Sequence, residues 1–95
     1  MPTKKRVYIA SEMPVEIFSN EGEGLDFVTK DLTSKGWEMY RKFKGPKGGP
    51  NACGFWVPSH KLKTFKRDLS DACLPFGLKP EYAKDYILLL NEEGN

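Results

Sequence analysis

Cys53, Cys73 and His60 are the side chains of this sequence that could do covalent chemistry, the thiols as nucleophiles and the imidazole as their base. A working Cys–His pair needs a third group to orient the base, and no residue pattern around either cysteine supplies one. One histidine and two cysteines twenty positions apart also lack any metal-ligand spacing. The acidic pairs Glu21/Glu23, Asp68/Asp71 and Glu92/Glu93 fall in expected caps, turns or a tail, where solvated carboxylates keep ordinary acidity. The run Gly45-Pro46-Lys47-Gly48-Gly49-Pro50 looks like a phosphate loop but is not one. It lacks the Gly-Lys-Ser/Thr ending, runs into a strand instead of a helix, and holds two prolines without an N–H. The expectation is a protein that is not an enzyme and uses no cofactor and no metal.

Binding chemistry is better represented. Tyr40, Lys42, Lys44 and Trp56 share one face of a hairpin by alternation, with Lys47 at its tip. His60, Lys61, Lys63, Lys66 and Arg67 follow at the start of the next helix. Aromatic rings beside lysines on a sheet face are the ingredients of a stacking platform for single strands. Those ten residues form the candidate site for a nucleic acid or another anionic partner.

The charge distribution supports that choice. Formal net charge is only +2, yet residues 30–67 carry ten cationic side chains against Asp31 and Glu38. Residues 10–29 carry five acidic ones and no basic one. Such segregation gives a dipolar surface able to steer an anion. With 39% hydrophobic and 29% charged residues in 95, the chain is ordinary globular material and forms one domain, 1–95. A core this small leaves little room for a deep cavity, and a shallow groove or flat face is easier to build. No apolar run approaches the roughly 20 residues of a membrane span, and Val7–Ala10 is too short for a secretion signal. A cytoplasmic location without membrane contact is expected, where Cys53 and Cys73 serve as small buried hydrophobes.

The elements that position these residues follow from periodicity. Residues 7–10 and 15–18 read as strands, with a turn at 11–14 between them. Leu25, Val28 and Leu32 recur at helical spacing, which gives a helix over 22–35 closed by Gly36. Residues 37–44 alternate as a strand with Trp37, Met39 and Phe43 inward, but Arg41 shares their parity and so marks an edge or a misread register. The loop 45–51 is expected to be mobile, and Cys53–Val57 is the return strand. Ser59 caps a helix over 60–73 with Leu62, Phe65 and Leu69 on its buried stripe. Leu74–Gly77 ends it. Pro80 then starts a terminal helix, or Tyr86–Leu90 forms a buried strand; a short apolar run fits both. Residues 1–6 and 92–95 read as a flexible basic arm and tail.

Together these give an α+β domain: a mainly antiparallel sheet of three or four strands with two or three helices on one face. Its expected function is non-enzymatic binding, with nucleic acid as partner and a single strand favoured. The alternative is a small regulator or inhibitor, viral or from a mobile element, that docks on a host protein.

Overall fold

The computed structural model describes residues 12–46 and 50–91. The expected strand at 7–10, the basic arm 1–6, Lys47 at the hairpin tip and the tail 92–95 lie outside the described residues.

The chain runs β1 (Glu12–Ser19), α1 (Gly22–Ser34), β2 (Glu38–Phe43), β3 (Asn51–Pro58), α2 (Leu62–Cys73), β4 (Leu78–Tyr82) and β5 (Ile87–Asn91). The strands make one sheet in the order β2-β3-β1-β5-β4, antiparallel except where β5 runs parallel to β1. The α+β class therefore holds, with five strands among the described residues where three or four were expected. The order of the first six elements, with both helical connections skipping over strands, is a split β-α-β-β-α-β arrangement, and β5 is inserted beside β1.

Burial explains the layering. Val15, Ile17, Cys53, Phe55, Val57, Ile87 and Leu89 alternate onto one face of the sheet and meet Leu25, Val28 and Leu32 of α1 and Phe65, Leu69 and Cys73 of α2 in a single core. Both helices cover that face, and among the described residues no helix covers the other. Helix α1 ends as its sequence requires. Gly36 takes φ +98°, and the N–H groups of Gly36 and Trp37 return to the carbonyls of Thr33 and Leu32 at 3.0 and 3.1 Å.

Four local readings are corrected. The turn placed over 11–14 is strand from Glu12 onward, and Pro14 is tolerated there because β5 pairs with β1 only at residues 17–19. Ser59 does not cap α2. Residues Ser59–Lys61 form a 3₁₀ turn, the helix starts at Leu62, and no side chain bonds its first amides. Pro80 lies within the edge strand β4, not in a helix, and the strand alternative for the C-terminal run is the one realised. The hairpin β2–β3 also carries a bulge. Met39 pairs with Phe55 but Arg41 with Gly54, which leaves Tyr40 as the extra residue.

Candidate anion-binding surface

That bulge redistributes the hairpin side chains. After it, Arg41 and Phe43 join Tyr40 and Trp56 on the uncovered face, while Lys42 pairs with Cys53 and turns toward the helices. The expected grouping of Lys42 and Lys44 with Tyr40 and Trp56 is therefore broken. The Lys42 ammonium lies 2.5 Å from one oxygen of Asp26 on α1, and Lys44 lies 3.0 Å from the other. Hydrogen bonds from Lys42 and then Lys44 hold the Asp26 carboxyl below its ordinary value of 3.8.

On the uncovered face, Tyr40 and Trp56 do meet, with ring centroids 4.8 Å apart. They sit around a carboxylate. The Tyr40 hydroxyl donates to Glu16, and Arg41 donates to the other Glu16 oxygen at 2.9 Å. Burial first, then the Glu16 hydrogen bond, pushes the Tyr40 phenol up to about 12. The ring lies directly over Gly54, where a Cβ would come within 2.5 Å of it. Register places Glu12, Glu16, Glu38 and Glu81 on this face against Arg41 and Lys79, so the described part of the face is aromatic and acidic.

The remaining cations collect elsewhere. Lys63, Lys66 and Arg67 stand at i, i+3 and i+4 on one face of α2, preceded by His60 and Lys61 in the exposed 3₁₀ turn. No ion pair involves these residues among the described ones. Of the acids of α2, Asp68 accepts from the Trp37 indole at 2.8 Å, and Asp71, one turn beyond Arg67, lines a broad hollow of about 670 Å³ between the helices. In that hollow Asp31, Asp71, Lys30 and Lys35 balance their charges.

The β4–β5 turn brings further residues to the cationic flank, all missed by the sequence reading. The Lys66 ammonium lies 4.8 Å above the Tyr82 ring, and Tyr82 and Tyr86 are 42% and 45% exposed. Lys66, Tyr82, Lys84, Asp85 and Tyr86 border a groove of about 110 Å³ floored by Leu62 and Val15. The signal available in the sequence was two tyrosines flanking a lysine; with helix and strand both open there, their approach to α2 stayed hidden.

Cys53 and Cys73 are free and fully buried, and burial raises both thiols to about 12, whereas His60 is exposed. The structure does not bring His60 to either sulfur's core environment. No cluster of three His, Cys, Asp or Glu residues fit for a metal ion exists among the described residues, and no helix among them is long and apolar enough to cross a membrane. No protein-family model, curated protein or solved structure matches the chain.

Proposed function

We propose that this domain is a non-enzymatic nucleic-acid-binding module that holds the phosphate backbone on the cationic flank of α2. The observation that carries the reading is the row Lys61, Lys63, Lys66 and Arg67, which has no carboxylate partner among the described residues and stands at a helix N-terminus. The helix has no acidic residue in its first turn, and cations there oppose the helix dipole by a few tenths of a kcal/mol each. For Lys61 and Lys63 fold stability gives no reason for that placement; an anionic ligand does. A cytoplasmic site of action suits two buried free thiols.

Fluorescence anisotropy with labelled oligonucleotides at roughly 50 and 200 mM salt tests the reading. Four backbone contacts give a slope of log Kobs against log salt near −3, by about 0.7 per phosphate for a single strand. Reversing Lys63 and Arg67 to glutamate should cut the slope and the affinity together. Absence of binding at the lower salt ends the proposal.

The uncovered sheet face favours a second reading, a small regulator that docks on another protein. Phe43, Leu90 and half-buried Phe18 lie on it beside an acidic set, which suits a basic protein surface better than a polyanion. A stoichiometric protein partner that survives nuclease treatment and is lost on Phe43→Glu would favour it.

A further inference from the structure

The groove between α2 and the β4–β5 turn adds a feature that a purely electrostatic surface lacks: rings within reach of the cations. We infer that this groove receives one unstacked base of a single-stranded nucleic acid, with Tyr82 as the stacking ring and Lys66 and Lys84 on the adjoining phosphates. The inference rests on the nucleic-acid reading above and specifies the strandedness of the ligand and the residues that select it.

Three observations carry it. The Lys66 ammonium, 4.8 Å above the Tyr82 ring, is held by the ring quadrupole and not by a carboxylate, so a phosphate can recruit it without breaking an ion pair. Tyr82 nevertheless keeps 42% of its surface open, although its hydroxyl lies 3.5 Å from the Lys66 carbonyl oxygen. A planar base thus meets a ring already anchored at its tip. The groove is small, about 110 Å³ against the roughly 300–1,000 Å³ of an ordinary small-molecule site, which suits a single flat ring better than a base pair. Tyr86, whose ring meets that of Phe18 edge-on at 5.7 Å, forms the outer wall. A duplex keeps its bases stacked inward and can use only the lysines.

The test compares wild type, Tyr82→Ala and Tyr82→Phe on a thymidine oligomer of roughly ten nucleotides and on a matching duplex, each at two salt concentrations. Wild type should bind the single strand about tenfold or more tighter than the duplex. Tyr82→Ala should lose about tenfold to a hundredfold on the single strand, keep its duplex affinity and leave the salt slope unchanged. Tyr82→Phe keeps the ring and should bind as wild type, and circular dichroism melting of each variant checks the fold. Equal wild-type affinity for strand and duplex, or an unaltered Tyr82→Ala, overturns the inference while the cationic surface stands. If wild type binds neither oligomer at low salt, the parent reading fails with it.

Discussion

Gly54 fixes more of the uncovered face than any charged residue on it. The bulge drops the Tyr40 ring onto the β3 backbone, and only a residue without a Cβ leaves space beneath it. Gly54→Ala should therefore destabilise the domain by about 1–3 kcal/mol through overpacking, measured by urea unfolding. Separation of Tyr40 from Trp56 should accompany it as a change in tryptophan emission. Asp26 gives a residue-scale dependence on pH. Its carboxyl titrates below the ordinary value of 3.8 in the folded state, so the unfolded chain binds the proton first as pH falls. The contribution is thus fully present above that value and is lost as pH drops through the folded one. Asp26→Asn should flatten the acid limb of the stability curve there, by at most about 1 kcal/mol because the pair is partly exposed. These partners were not legible in the sequence. Lys42 and Lys44 carry the right parity for the Tyr40 face, and one extra residue in the ladder reverses it, signalled only by Arg41 on the apolar parity and by Gly54 inside the partner strand.

At the scale of elements, the strong periodicities were readable and the weak ones were not. Leu25, Val28 and Leu32 defined α1, and the alternation of Cys53, Phe55 and Val57 defined β3, because each buries a single face. The segment after Gly77 had no such guide. Ile87 and Leu89 face the helices while Leu88 and Leu90 take the other side, so the run is apolar throughout and its period is hidden. With helix and strand both open for that stretch, nothing in the sequence brought Tyr82 and Lys84 to the candidate site. Helix α2 itself separates stability from binding. Lys63 sits in its uncapped first turn, so Lys63→Glu should raise the melting temperature slightly or leave it unchanged, since the helix gains a few tenths of a kcal/mol. Oligonucleotide affinity should fall in the same variant. A matching loss of stability would instead make Lys63 a structural residue.

At the scale of the molecule, charge and topology divide the surface. Acidic and aromatic side chains take the uncovered sheet face, cations take the outer flank of α2, and a mixed hollow lies between the helices. The bare net charge of +2 conceals this arrangement. The sheet depends equally on its last described strand. β4 has β5 as its ladder partner, and Ile87 and Leu89 are only 4% and 3% exposed, each contributing about 1.5–3 kcal/mol to a domain whose net stability is of order 5–15 kcal/mol. A chain ended before Ile87 should show no cooperative melt by circular dichroism.

The same insertion of β5 between β1 and β4 governs when the protein can form during synthesis. Ile17 must wait for Ile87 to leave the ribosome exit tunnel before its parallel neighbour exists. Pairings so remote in the chain close slowly. The nascent polypeptide therefore emerges with the β5-facing side of β1 lacking its parallel neighbour until β5 follows.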